Sequence, residues 1–149
     1  MESIAVFILV INDVGETENI TLKIDYEITS GKSSLSEATS VNSLTSDVST
    51  KSLMINMTAP ESGTLSITMP RSIIDSKSSW DADMDDIFLI SLDGEEIEYV
   101  EESGTSDSRM ITIPFMESSE VIEIIGTSVI EDLYTIGDGI AVATDIRIR

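Results

Sequence analysis

The chain has 149 residues and a formal net charge of −20, from 28 Asp and Glu residues against 8 Lys and Arg residues. It contains no cysteine and no histidine, which excludes disulfides, Cys/His zinc sites and catalysis by a Ser-His-Asp or Cys-His set. An acidic chain of this kind repels nucleic acid, whose binding depends on Lys and Arg that neutralise phosphates. No segment reaches the ~18–20 apolar residues of a transmembrane helix, so we expect no transmembrane segment.

The length is that of one ordinary domain, and residues 1–149 are predicted to form a single β-sandwich domain. Residues 4–11 form a continuous apolar run rich in β-branched residues, which predicts a strand buried on both faces. Its acidic flanks make it a poor secretion signal. Residues 20–28 alternate between apolar and polar, which predicts a strand with one face in water. Residues 29–51 are rich in Ser and Thr and predict a long loop with one weak strand near residues 38–41.

Two further alternating runs, residues 53–57 and 65–69, flank a turn that contains Pro and Gly. This arrangement predicts a second hairpin with a longer loop. Pro70 is expected to end the second of these strands, because proline cannot donate to a ladder. Residues 71–76 are interpreted as a single helical turn across the end of the sandwich.

The central hairpin is predicted around Asp93-Gly94, because a two-residue type I′ turn needs positive φ at both central residues. The register then opposes Ile90 to Ile97, and further out Ile87 to Val100. One face of this hairpin is apolar throughout and is predicted to face the core, with Glu96 and Glu98 of the other face in water. The predicted core residues are Phe88, Ile90, Leu92, Ile97 and Tyr99.

Residues 110–115 alternate, and residues 121–130 form a further predicted strand in which Gly126 indicates a bulge. A turn at residues 137–139 precedes a final alternating strand, residues 140–148. Together the pattern predicts an all-β fold, an antiparallel β-sandwich of the immunoglobulin-like, Greek-key type with about eight to nine strands.

Four closely spaced aspartates next to Trp80 are the sharpest chemical feature: Asp81, Asp83, Asp85 and Asp86. Alternating aspartates place several oxygens around one hard cation, so they are candidate Ca²⁺ ligands in an end loop, with Asp75 as an added ligand. An EF-hand is excluded, because Asp86 and Leu92 stand where that motif needs Gly and Glu. The alternative is a solvated acidic loop, and no other cofactor is expected.

Trp80 is interpreted as a plug over the open end of the sandwich, with a ligand platform as the alternative. The glutamates of the central region are interpreted as solvated charges, because their spacing selects no glycosidase-like pair, and no enzyme activity is predicted. This set comprises Glu95, Glu96, Glu98, Glu101 and Glu102. Asn19 and Asn56 begin N-glycosylation sequons and are candidate glycosylation sites in an exported chain.

Four segments carry a family resemblance: residues 63–75 (GTLSITMPRSIID), 92–96 (LDGEE), 110–115 (MITIPF) and 120–126 (EVIEIIG). In order and spacing they resemble a domain repeated in surface proteins of ammonia-oxidising archaea that carry a Pro-Glu-Phe-Gly C-terminal sorting signal. The resemblance implies a secreted or cell-surface β-sandwich and offers no known catalytic residues to carry over.

The function expected from these features is that of a non-catalytic structural or adhesive module of a cell-surface or extracellular protein. Its expected partners are other surface proteins or further copies of itself. A more specific hypothesis makes it a filament subunit whose strand at residues 4–11 inserts into a neighbouring sheet. The opposing interpretation pairs this strand inside its own domain. The alternative function is a monomeric module that binds Ca²⁺ or a glycan.

Overall fold

A computed structural model describes residues 2–11, 17–26, 40–81, 83–102 and 104–130 of the chain, and for residues 2–11, 17–19, 26 and 40 it describes the backbone alone. All regular elements in this part are β-strands, and every strand pair is antiparallel. The strands are β1 (Glu2–Ile11), β2 (Thr17–Tyr26), β3 (Ser40–Asp47), β4 (Ser52–Thr58), β5 (Gly63–Pro70), β6 (Ile74–Asp75), β7 (Leu89–Leu92), β8 (Glu95–Ile97), β9 (Val100–Glu101), β10 (Ser108–Phe115), β11 (Val121–Ile125) and β12 (Ser128–Val129).

These strands form two five-stranded sheets and one small one. Sheet 1 has the order β1-β2-β5-β10-β9, sheet 2 has the order β3-β4-β11-β7-β8, and β12 pairs with β6 in sheet 3. The predicted all-β, sandwich-like class is confirmed. The strand count exceeds the predicted eight to nine, because β6, β9 and β12 are only two residues long and leave no alternating pattern to detect. Nothing in the described part forms an apolar helix of membrane-spanning length.

The two large sheets enclose one cluster of buried apolar side chains. The described side chains of β2, β4, β5, β10 and β11 are buried at every second residue, which is the geometry of a pleated strand with one face inward. Sheet 1 supplies Leu22, Ile24, Leu65, Ile67, Ile111 and Ile113, and sheet 2 supplies Leu44, Leu53, Ile55, Ile90, Ile122 and Ile124. Burying each such side chain contributes about 1.5–3 kcal/mol, so this cluster is the main source of stability.

The central hairpin has the predicted turn and register. Asp93 and Gly94 have φ of 50° and 90°, and β7 pairs with β8 so that Ile90 lies opposite Ile97. The predicted core face is confirmed, with Phe88 and Ile90 buried and Leu92, Ile97 and Tyr99 packed against the core. Glu96 and Glu98 are exposed, as predicted.

The outer part of that hairpin was predicted wrongly. Val100 pairs with Thr112 of β10 in sheet 1 and does not oppose Ile87. The chain leaves sheet 2 after Ile97 and enters sheet 1 at Val100. The Tyr99 hydroxyl stays near β7, where it accepts a hydrogen bond from the Phe88 amide at 2.7 Å.

The predicted hairpin of residues 53–57 and 65–69 is also wrong. β4 pairs with β3 and β11 in sheet 2, whereas β5 pairs with β2 and β10 in sheet 1. Residues 59–62 therefore carry the chain from one sheet to the other, and the apolar faces of the two strands meet across the core. An alternating pattern shows which face of a strand is buried, but it does not identify the strand with which it forms hydrogen bonds.

The N-terminal apolar run forms β1, which pairs with β2 of the same chain over ten residue pairs, from Glu2–Tyr26 to Ile11–Thr17. The chain thus supplies its own partner for this strand, as the intradomain interpretation expects. In the described part, β1 is the outermost strand of sheet 1. The side chains of β1 are not among those described, so the prediction that both of its faces are buried stays a prediction.

Smaller differences concern the loops. The weak strand expected near residues 38–41 is the eight-residue β3. Residues 71–73 form a turn that leads into β6, not a helical turn, because Ile74 and Asp75 pair with β12. Gly126 is not a bulge: β11 ends before it, and a Cβ there would lie 2.3 Å from the Asp75 carbonyl oxygen. The predicted turn and strand of residues 137–148 lie outside the described residues.

Candidate functional site

Six charged side chains meet at the end of the sandwich where β5 ends and β10 begins. This ion-pair cluster consists of Arg71, Asp75, Lys77, Asp85, Glu101 and Arg109. Its three cations, out of eight Lys and Arg residues in a chain of net charge −20, balance its three carboxylates. The turn after β5 places the first of these residues, and β6, β9 and β10 place three others. Three of the eight positively charged side chains of the chain therefore lie together at this end of the sandwich.

Arg109 lies at the centre of the ion-pair cluster, and its side chain is only 2 % exposed. All five of its N–H groups donate hydrogen bonds. Nε and Nη2 donate to the two carboxylate oxygens of Glu101, at 2.7 and 2.9 Å. Nη1 donates to Oδ1 of Asp75 at 3.1 Å and to the Ser76 carbonyl at 2.7 Å, and Nη2 also donates to the Asp86 carbonyl at 2.8 Å. Every donor of this buried guanidinium is therefore used, and its hydrogen bonds join β10 to β6, to β9 and to the segment at Asp86.

The Phe88 ring completes the surroundings of this guanidinium, with Cζ of Arg109 4.4 Å from the ring centroid. A cation over an aromatic face at this distance is stabilised by the ring quadrupole. Burial by itself lowers the pKa of Arg109, but the hydrogen bonds to Glu101 and Asp75 outweigh it and the pKa is raised. Arg109 is therefore charged at neutral pH.

Asp85 holds the outer side of the ion-pair cluster. Its two carboxylate oxygens accept hydrogen bonds from Nη1 and Nη2 of Arg71 at 2.7 and 2.9 Å, and Oδ1 also accepts one from Nζ of Lys77 at 2.8 Å. The hydrogen bonds from Arg71, and then those from Lys77, hold the pKa of Asp85 well below its usual range. The same bond to Asp85 raises the pKa of Arg71. Arg71 also reaches Asp75 at 3.2 Å and so links both halves of the cluster.

A surface pocket of about 280 Å³ opens above Arg109. It is lined by Asp85, Asp86, Ile87, Glu101, Glu102 and Arg109. The carboxylates of Asp85 and Glu101 are bound by Arg71 and Arg109, and the guanidinium has no free donor. The ion pairs within the described residues include neither Asp86 nor Glu102, so these two residues give the pocket its negative character.

The aspartates predicted to bind Ca²⁺ have different hydrogen-bond partners in the structure. Asp85 is engaged by Arg71 and Lys77, and Asp75 by Arg71 and Arg109. Oδ1 of Asp81 accepts the backbone amide of Asp83 at 2.9 Å, and Oδ1 of Asp86 accepts that of Ile87 at 2.8 Å. Across the described ranges, no three Asp or Glu side chains lie close enough together to hold a metal ion. The Ca²⁺ site stays a prediction from the sequence.

Trp80 does not plug the sandwich: its side chain is 95 % exposed, and that interpretation is wrong. Ile73, Ile74 and Ile130, which are near Asp75 in the chain or in β-sheet pairing, are buried in the apolar core. Trp80 instead lies on a loop, here called the Trp80 loop, whose described residues are 78–81 and 83–87. A bridge between Lys77 and Asp85 and a hydrogen bond from the Ser78 amide to the Met84 carbonyl at 2.8 Å close this loop.

The remaining candidate residues lie apart from the ion-pair cluster. Of the five glutamates, Glu101 is the partner of Arg109, whereas Glu95, Glu96, Glu98 and Glu102 are exposed. Asn56 lies in β4 between buried Ile55 and Met57, so it faces outward as predicted, and its Nδ2 donates to Oγ of Ser43 at 2.9 Å. Asn19 pairs with Leu9 through the backbone of β2, and its side chain is outside the described set.

Arg109 is the residue that sequence reasoning missed. It shares its position in the alternation with Ile111, Ile113 and Phe115, whose side chains are all buried. An arginine on the buried face of a strand needs a carboxylate partner, because an unpaired buried charge is very costly. That rule would have predicted a buried ion pair without identifying Glu101 and Asp75 as its acceptors.

In comparisons with protein-family models, curated proteins and solved structures, the chain matches none. The resemblance to archaeal surface domains therefore stays a prediction.

Proposed function

We propose that this chain is a non-catalytic structural or adhesive module of a cell-surface or extracellular protein, and that copies associate through the edge strand β1. The observation that carries the proposal is the position of β1. It forms ten residue pairs with β2 on one side, and no described strand pairs with its other side. An edge strand presents a row of unpaired N–H and C=O groups to any chain that approaches it.

β1 differs from the other edges of the two large sheets. It is ten residues long, whereas the edge strands β8 and β9 have three and two residues, and β3 has eight. Its sequence, ESIAVFILVI, carries one charge, at its first residue. Edge strands are usually protected from pairing because they are short or carry charges. β1 is long and carries a single charge. These features support association through this strand.

The charged cluster supports the non-catalytic part of the proposal. Arg109, Glu101, Asp75 and Asp85 are bound to one another or to Arg71 and Lys77, so their charges are used in the fold. A catalytic acid or base has to exchange protons with a substrate. These groups hold their partners too tightly for that role, and the chain has no histidine or cysteine to replace them.

Two routes of association use the same edge. In strand exchange, β1 of one copy takes the place of β1 beside β2 of another copy and repeats the same ten pairs. In edge addition, β1 stays in its own sheet and a strand of another copy pairs with its outer side. Both routes lead to dimers or filaments and both require β1.

The test is light scattering over a range of protein concentration on the full chain and on a version lacking residues 1–12. We expect assemblies that grow with concentration from the full chain, and a soluble, smaller species from the truncation. Two proline variants, Phe7→Pro and Ile8→Pro, refine the test, because adjacent strand residues point their N–H groups to opposite sides.

One of these prolines removes a bond to β2 and lowers the melting temperature. The other removes only the outward N–H group, so the melting temperature should stay close to that of the parent. We expect this variant to lose assembly if copies associate by edge addition and to keep it if they exchange strands. A full chain that remains a compact monomer at every concentration would overturn the proposal.

A further inference from the structure

The Trp80 loop presents large apolar side chains to solvent. Trp80, Ile87 and Met84 are 95 %, 72 % and 58 % exposed, and all three lie within residues 80–87. Single exposed apolar residues are common, but a group of this size on one short loop is unusual in a protein without a partner for it. These three side chains therefore belong to the surface and not to the buried core.

The backbone of the loop is held in place by several contacts. The Met84 amide donates to the Asp81 carbonyl at 2.9 Å, and the Asp86 amide donates to the Ser76 carbonyl at 2.9 Å. Asp85 anchors the base of the loop to Arg71 and Lys77. These contacts hold the described backbone from which the exposed apolar side chains project, and this lowers the ordering entropy that binding a partner costs.

Exposed aspartates alternate along the chain with these apolar side chains. Asp81, Asp83 and Asp86 are exposed, and the ion pairs of the described residues include none of them. The two cations at the base of the loop, Arg71 and Lys77, are already bound by Asp85. With the whole chain at −20, the loop is complementary to a partner that carries positive charge beside apolar groups.

We propose that the Trp80 loop is a docking site for a basic segment of a partner protein, one in which Lys or Arg side chains alternate with apolar ones. The Trp80 face receives a cationic side chain, since tryptophan is the best aromatic acceptor of a cation. The aspartates fix the remaining charges, and Met84 and Ile87 pack against the apolar groups. This inference rests on the loop alone and is independent of association through β1.

The test uses the full chain and a short dye-labelled peptide in which lysine alternates with alanine and leucine, with fluorescence anisotropy as the readout. A second readout is the emission of Trp80, the single tryptophan of the chain. We expect saturable binding, a shift of the Trp80 emission, and no binding of the same peptide with glutamate in place of lysine.

The deciding variant is Asp81→Asn/Asp83→Asn/Asp86→Asn, since asparagine keeps the acceptor oxygens that the loop backbone uses. We expect it to weaken binding about tenfold or more, and Trp80→Ala to weaken it severalfold. The matched control is Glu95→Gln/Glu96→Gln/Glu98→Gln, which removes an equal number of negative charges from another exposed region. It should change the affinity less than about twofold.

Equal losses in the two triple variants would overturn the proposal, because binding would then depend on net charge alone. Equal binding of the glutamate peptide, or an unchanged affinity in the loop variant, would overturn it as well. A Trp80 emission shift produced by Ca²⁺ in place of the peptide would assign the loop to a metal ion and also contradict it.

Discussion

Arg109 and Glu101 form a two-point contact across adjacent strands, with Nε 2.7 Å from Oε2 and Nη2 2.9 Å from Oε1. The arginine side chain is 2 % exposed and the glutamate side chain 26 % exposed. The pair is therefore formed largely out of water, where each partner depends on the other.

Replacing Arg109 tests this dependence. Arg109→Met leaves Glu101 and Asp75 without their buried cation, and we expect it to lower the free energy of unfolding by about 3–5 kcal/mol. Arg109→Lys keeps the charge but has too few donors for five acceptors, so it should cost less than Arg109→Met but still destabilise clearly. Urea denaturation at neutral pH measures both.

The control for these variants is Lys23→Met, which removes an exposed cation 3.9 Å from Asp25. A change below about 1 kcal/mol is expected there. If Arg109→Met were as stable as the parent, the ion-pair cluster would make no net contribution to stability.

Asp85 predicts a dependence of stability on pH. Its pKa in the folded chain lies below the ordinary value of 3.8, so its contribution is fully present above that value and is lost as the pH falls through 3.8 toward the folded pKa. We expect Asp85→Asn to reduce stability at pH 7, and the difference from the parent to shrink below about pH 4. The effect is modest, because the side chain is 42 % exposed and solvent screens the pair.

Urea denaturation of both proteins at a series of pH values gives the comparison. A difference that stays constant down to about pH 2 would mean that the Asp85 carboxylate is not what Arg71 and Lys77 stabilise. Asp107→Asn, an exposed aspartate whose side chain forms none of the described ion pairs, is the matched control and should parallel the parent at each pH.

Asp93 connects the central hairpin to β11. Its Oδ1 accepts the amides of Glu120 and Val121, each at 2.9 Å, while its own backbone has a φ of 50°. Asp93→Ala removes the oxygen that accepts both hydrogen bonds and strains the turn, so we expect a loss of about 2 kcal/mol. Asp93→Asn keeps an acceptor oxygen and tolerates positive φ, so it should retain most of the stability. Equal losses in the two variants, measured by thermal unfolding, would contradict this role.

The predicted Ca²⁺ site is tested by its own measurement. Because Asp85 is bound by Arg71 and Lys77, we expect Ca²⁺ at about 1 mM to leave the melting temperature unchanged. A clear rise that disappears in Asp81→Ala/Asp83→Ala would show instead that these aspartates bind the ion. Mg²⁺ at the same concentration controls for the general effect of a divalent cation on an acidic chain.

The sequence was most informative where the determinant is local. Asp93 and Gly94 fix the turn type, and the turn then fixes the partner of Ile90, because a two-residue loop permits one register. Alternation likewise identified the buried faces of β4, β5 and β10. These features follow from a few neighbouring residues.

Features that depend on distant residues were beyond such reasoning. β4 and β5 look like two strands of a hairpin, yet they belong to different sheets, since the same alternation suits side-by-side and face-to-face packing. Arg109 finds its acceptors 8 and 34 residues away in the chain. Trp80 was expected to cover the end of the sandwich because aromatic side chains mostly serve packing, and no local pattern shows that it is instead 95 % exposed.

The short passage between β8 and β9 has a consequence for how the molecule opens. Ile97 ends an edge strand of sheet 2 and Val100 begins an edge strand of sheet 1, so Glu98 and Tyr99 alone join the two layers along that side. The opposite side, formed by β1 and β3, has no comparable short link in the described chain. Of the two margins, only this one has such a short link in the described chain, so we expect thermal fluctuations to separate the layers first along the other. Amide hydrogens of β1 and β3 should accordingly exchange with solvent sooner than those of β5 and β11, which lie inside the sheets.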